Sequence, residues 1–312
     1  TMNMNSIKKM MLSGALGCLI SGMAYADGSS PQPVKPYWQD IQVVAVNKEK
    51  PRSSFMSYAD RETALTSRFE KSPYYSLLNG TWKFFFVDSY KDLPQNITDP
   101  SVNTSSWDDI TVPGNWEVQG HGVAIYTNHG YEFKPRNPQP PLLPEANPVG
   151  IYRRDIEIPA SWDNRDIYLH IGGAKSGLYV YLNGKEVGYS EDSKNPAEFL
   201  INKYLQPGKN VLTLKIFRWS TGSYLECQDF WRMSGIERDV FLWSQPKASI
   251  QDFRVVSTLD DTYTNGIFKL AVDLKNHTQE TKNLNVGYEL LDAKGNLVTS
   301  EANDIWVSPA SP

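Results

Sequence analysis

Tyr179-Val180-Tyr181-Leu182-Asn183-Gly184-Lys185-Glu186-Val187-Gly188-Tyr189 is the stretch whose reading decides the fold. Apolar residues alternate on both sides of Asn183-Gly184, and that pair favours a tight hairpin turn because both central residues must take positive φ. The hairpin has strand-like neighbours in either direction. Residues 165–171, 150–158 and 81–88 precede it with the same β-rich character, and 211–219 and 238–243 follow it. Residues 196–205 read as a short helical or 3₁₀ connection ended by Pro207-Gly208, and 60–70 as a short helix with Ala64, Leu65 and Phe69 on one face. Many short strands with inward aromatic residues call for two sheets packed face to face. The expected fold class is all-β.

Bulk composition agrees. The 312 residues include 17 Tyr, 9 Trp, 20 Pro and 21 Gly, which suits many strands and turns. A formal net charge of -4 supplies no basic surface for nucleic acid, so no nucleic-acid partner is expected. The first 26 residues read as a secretory signal peptide: Lys8 and Lys9, the apolar stretch 10–23, then Ala24-Tyr25-Ala26. Secreted or periplasmic localisation follows. A competing reading takes Leu16-Gly17-Cys18 as a lipoprotein cleavage site that anchors the chain to a membrane. Residues 27–36 form a flexible lead-in. With Cys18 in the leader, Cys227 remains alone and no intramolecular disulfide is expected.

The loop 222–236 reads Gly-Ser-Tyr-Leu-Glu-Cys-Gln-Asp-Phe-Trp-Arg-Met-Ser-Gly-Ile. A sugar needs flat aromatic surface for its C–H faces and carboxylates or amides for its hydroxyls. Glu226, Gln228, Asp229, Trp231 and Arg232 supply such groups. The alternative is a buried Arg–carboxylate cluster that pins a long loop.

The order of residues in this loop resembles the galactosidases of glycoside hydrolase family 2, whose sugar-binding domain carries a Tyr-Leu-Glu-Asp-Gln-Asp-aromatic-Trp-Arg-Met-Ser-Gly-Ile segment. Cys227 stands where that family has an acid. Three further stretches resemble it in the same order: Ser76-Leu77-Leu78-Asn79-Gly80-Thr81-Trp82-Lys83-Phe84; Val112-Pro113-Gly114-Asn115-Trp116 followed by Ile125-Tyr126-Thr127-Asn128; and Gly150-Ile151-Tyr152-Arg153-Arg154. The resemblance covers roughly 36–245. It implies a jelly-roll, galactose-binding-like β-sandwich over 37–245, with Asn128 and Asp229 as substrate-binding residues and Asp229 as part of a sodium site.

After Gln245-Pro246 strand patterns recur at 250–259, 266–274 and 284–291, with a turn at Lys294-Gly295-Asn296. The stretch 246–312 falls short of the roughly 100 residues of an immunoglobulin-like sandwich, so an incomplete, truncated domain of that type is expected. Its open strand edges would favour docking. Residues 135–148 are proline-rich and cannot pair as a central strand. They read as a surface loop or a rigid connector.

Retaining glycosidases use two carboxyl groups about 5 to 5.5 Å apart. The resemblance implies that both are Glu residues on a later (β/α)₈ barrel, and this chain has no alternating strand–helix units. No catalytic residue is therefore assigned here. The implied role is the N-terminal portion of a secreted retaining β-galactosidase acting on terminal non-reducing β-D-galactose, with the barrel as missing partner and a homo-oligomer at full length. The alternatives are a stand-alone carbohydrate-binding module and a complementation fragment. Magnesium is implied for the full-length barrel but not for this chain, since Tyr37 and Thr221 stand where acids would be needed. His121, His129, His170 and His277 show no metal-ligand spacing. Asn79, Asn96, Asn103 and Asn276 open glycosylation sequons.

Overall fold

Asn183 and Gly184 take φ of 53° and 78°, and the turn they make joins the strands Gly177–Leu182 and Lys185–Ser190. The computed structural model describes residues 35–133 and 137–310. The leader at 1–26, including Cys18, lies outside them, as does the lead-in up to Val34.

The hairpin belongs to a seven-stranded antiparallel sheet. Its order is Ala45–Val46, Lys185–Ser190, Gly177–Leu182, Lys209–Phe217, Val149–Glu157, Gly80–Val87 and Asp108–Val112. A four-stranded antiparallel sheet faces it, ordered Ala197–Leu200, Arg165–Ile171, Val240–Pro246 and Tyr75–Leu77. Strand alternation sends successive side chains to opposite faces. Leu178, Val180 and Leu182 therefore enter the central core with Trp82, Phe84, Leu169 and Leu242, while Tyr179 joins a second apolar layer on the other side. Each large side chain buried in this way is worth about 1.5–3 kcal/mol.

Both sheets are covered on their outer faces too. Trp38, Ile97 and Trp107 pack against Tyr179, Tyr189 and Phe217 on the large sheet. Met56, with Tyr58 and Phe69 beside it, packs against Tyr168, Phe241 and Trp243 on the small one. The all-β expectation holds.

Two elements differ from their sequence reading. The helix expected over 60–70 is one short turn, Arg61–Leu65, capped by Asp60 accepting from the Thr63 amide at 2.8 Å, then a 3₁₀ turn at Phe69–Lys71. Ser67 at φ 54° breaks it, and Leu65 is 56 % exposed rather than facing a core. The connection expected over 196–205 is a strand, Ala197–Leu200, followed by the 3₁₀ turn Asn202–Tyr204. Pairing with Arg165–Ile171 buries Phe199 and overrides the helical tendency.

The described part of the proline-rich segment, 137–148, contains no strand. Its end is fastened by Asn147, which donates to the Trp219 carbonyl at 2.8 Å and accepts from the Trp219 amide at 3.1 Å. Beyond the sandwich, Ala248–Leu259 pairs with Gly266–Asn276 and Lys282–Leu291 with Leu297–Val307. The two hairpins meet where Phe268 lies 5.3 Å from Tyr288. Buried Asp166 joins the first hairpin to the sandwich, accepting from Lys275 Nζ at 3.1 Å and from His277 Nδ1 at 2.7 Å. Asn276 is buried here and donates to the carbonyls of Glu280 and Val307, so its sequon is unsuited to glycosylation as folded.

Candidate functional site

Sequence-distant loops build the site as a short ribbon. Phe230–Arg232 pairs with Ile125–Thr127 in the register Phe230↔Thr127, Trp231↔Tyr126, Arg232↔Ile125. Asn128 follows Ile125–Thr127 and Asp229 precedes Phe230–Arg232, so both lie at the same end of the ribbon. The two residues proposed from the resemblance thus end adjacent strands of one ribbon. Both are exposed.

Alternation then sorts the side chains. Trp231 and Tyr126, directly opposite, share one face, and the Asp229 carboxylate reaches that Tyr126. The Tyr126 hydroxyl donates to Asp229 Oδ1 at 3.0 Å, and the Tyr126 and Trp231 rings lie 5.6 Å apart. These rings are 56 % and 53 % exposed. The bond to Asp229 pushes the Tyr126 phenol above its usual value, since the nearby carboxylate opposes a second negative charge. Asn128 Oδ1 lies 2.7 Å from His129 Nδ1. This end of the ribbon therefore presents a carboxylate and two rings, with the exposed Asn128 amide following Thr127.

The opposite face holds the ribbon down. Arg232 is 1 % exposed and donates through Nη1 to the Glu226 carbonyl at 2.8 Å and through Nη2 towards the Thr127 carbonyl at 3.5 Å. The Arg–carboxylate cluster considered from sequence is not what forms. Arg232 grips main-chain oxygens, while the Glu226 carboxylate accepts from the Ser193 amide at 2.9 Å and the Ser193 hydroxyl at 2.5 Å. Gln228 is exposed, and the half-buried Cys227 donates to the Ser223 carbonyl at 3.2 Å. Burial pushes the Cys227 thiol up.

Glu117 and Glu191 escaped the sequence reading, because each acts through folding partners far along the chain. The Glu117 carboxylate accepts from the Ser234 amide at 2.8 Å just beyond the ribbon. Gly235 follows at φ 112°, where an added Cβ would stand 2.9 Å from both the Gly114 carbonyl oxygen and the Tyr152 hydroxyl. Glu191 accepts from the Tyr189 hydroxyl, the Thr221 hydroxyl and the Gly222 amide, each at 2.7 Å. It closes the start of the loop.

Burial pushes the Glu191 carboxyl above its ordinary 4.5 despite those three donors. The folded chain then keeps this proton to higher pH than the unfolded chain, so the residue's contribution to stability falls as pH rises from 4.5 through the raised value. Glu191→Gln keeps the size and can still meet all three partners. In urea titrations across the acid-to-neutral range, its stability should fall less with rising pH than that of the unsubstituted chain. An unchanged slope would contradict this.

Among the described residues no group of three or more His, Cys, Asp or Glu side chains could hold a metal ion. For sodium, Asp229 offers one carboxylate, whose Oδ1 already accepts from the Tyr126 hydroxyl. The fit is partial at most.

A family model described as glycosyl hydrolases family 2, sugar binding domain, matches residues 75–246. The chain belongs to glycosyl hydrolase family 2. The family 2 chain is 39 % identical over 262 residues to a β-galactosidase of Priestia megaterium, covering 83 % of this chain and 25 % of that protein. It is 36 % identical over 262 residues to one of Psychromonas ingrahamii, covering 84 % and 24 %. It spans about a quarter of the length of these curated relatives. Among solved structures, a Bacteroides uniformis β-glucuronidase superposes with a TM-score of 0.61 at 20 % identity, covering 76 % of this chain and 26 % of that one. A β-glycosidase of Bacteroides vulgatus gives 0.56 at 21 %, covering 74 % and 28 %. At those identities the likeness shows the fold of the family 2 chain.

Proposed function

We propose that this chain is the N-terminal portion of a secreted retaining β-galactosidase, and that its ribbon helps hold the galactosyl group of a terminal β-D-galactoside. One observation carries the reading: Asp229 and Asn128, a hundred residues apart in sequence, lie exposed at the same end of one ribbon, where the Asp229 carboxylate is bonded to Tyr126 beside Trp231. The carboxylate and amide orient hydroxyls, and the rings accept an apolar sugar face. Such a surface contributes by positioning, so that binding energy goes into orienting the reacting carbon. The acid and nucleophile belong to a barrel that this proposal places beyond these residues. In the same proposal a sodium ion takes Asp229 as one ligand and the rest from that barrel and water.

Translating the coding sequence to its natural stop and assaying the product on nitrophenyl β-D-galactoside tests this. Galactoside hydrolysis by a polypeptide that continues into a barrel with paired Glu residues is expected. A stop directly after Pro312, with galactose binding but no hydrolysis, would replace the reading with a carbohydrate-binding module.

A further inference from the structure

A cleft of about 290 Å³ opens between segment 49–55 and the outer face of the four-stranded sheet. Its floor is the ring of His170, stacked on Phe241 with centroids 4.1 Å apart. Behind that floor Glu198 is 7 % exposed and takes four donors: Arg52 Nε and Nη2, each at 2.8 Å, His170 Nδ1 at 2.8 Å, and Trp243 Nε1 at 3.0 Å. Burial alone would push this carboxyl up, but the bonds from His170 and Arg52 outweigh it and hold Glu198 below its usual range. With Nδ1–H given to Glu198, Nε2 is the ring nitrogen left for a ligand, and it accepts when the ring is in its neutral form. Nε2 has no hydrogen-bond partner among the described residues.

Glu49 lines the same cleft. It is half-buried, and its carboxylate accepts no hydrogen bond from a described residue. The cleft thus offers two acceptors that the fold does not use.

The lining narrows the ligand class. Arg52 spends its N–H groups on Glu198 and on the carbonyls of Ser53 and Phe55, so no guanidinium fork is left for an anion, and Lys50 and Asp192 add one charge of each sign, which favours neither a net anion nor a net cation. The ring faces are taken as well, since Arg52 lies 4.6 Å over Phe55 and His170 covers Phe241. Phe69 alone does not make a cage for a cation. A neutral ring with hydroxyl donors and C–H faces suits what remains, and the volume sits at the lower end of small-molecule sites. His170, Glu198 and Phe241 also fall within the stretch matched by the family's sugar binding domain.

We propose that this cleft is a second carbohydrate site, sharing no residue with the ribbon, which seats one hydroxylated ring against His170 with Nε2 and the Glu49 carboxylate as acceptors.

The test is titration of the 312-residue chain, with isotope-labelled histidine, by methyl β-D-galactoside, D-glucose and choline, following the His170 ring by NMR. Saturable shifts with a sugar and none with choline are expected. His170→Phe keeps the stacking on Phe241 and should weaken binding about tenfold, the loss of one hydrogen bond. Because that change also strips a donor from Glu198 and could unfold the chain, Glu49→Gln provides a second variant. It breaks no bond in the fold and should weaken binding by a similar factor. No saturable shift with either sugar, a preference for choline, or sugar binding indifferent to Glu49→Gln would each overturn the proposal.

Discussion

Asp229→Ala, in the polypeptide carried to its natural stop, should lower kcat/KM for nitrophenyl β-D-galactoside about a hundredfold and leave thermal stability nearly untouched. The activity estimate follows from losing a charged hydrogen bond to the sugar, about 3 kcal/mol at the upper end for such contacts. The stability estimate follows from the fold. Asp229 is exposed, and its one hydrogen bond within the described chain comes from Tyr126, itself more than half exposed. Surface changes of this kind stay within about 0.5 kcal/mol. If the melting temperature dropped by many degrees while kcat/KM held, the loop would be a structural staple and the proposed function would fail.

Arg232→Ala, three residues along the same loop, should behave in the opposite way. Its side chain is almost wholly buried and ties two carbonyls, that of Glu226 in the loop and that of Thr127 in the partner strand. Truncation removes charge-assisted bonds and packed methylenes together, at a cost of about 3 kcal/mol. Urea unfolding should show that loss directly. Galactose recognition should fall too, but only because the ribbon that carries Asp229 loses its seat. A stability change below about 0.5 kcal/mol would mean that the loop does not depend on its arginine.

These two residues also show how far the sequence could be read. Hydrophobic alternation around Asn183-Gly184 located the hairpin because a strand's period is a local property, and the turn demands positive φ of both central residues. The same reasoning failed at 197–200, where composition suggests a helical connection but pairing with 165–171 decides. Asn128 and Asp229 came from family resemblance. Their place at one end of a ribbon came only from the pairing of its strands, a non-local fact that no spacing in the sequence encodes. Tyr126 lies two residues before Asn128, and strand alternation applied there could have placed it on the same face. Glu117 and Glu191 carry no such signal, since each is defined by a backbone amide or hydroxyl that folding brings from elsewhere.

The segment 37–74 lies ahead of the stretch matched by the family model, yet it shields both outer faces of the sandwich. Trp38 seals the larger sheet and Met56 the smaller. A boundary drawn at the start of that match therefore cuts through side chains that exclude water together. A fragment trimmed to it would bare two apolar surfaces that the intact chain keeps dry.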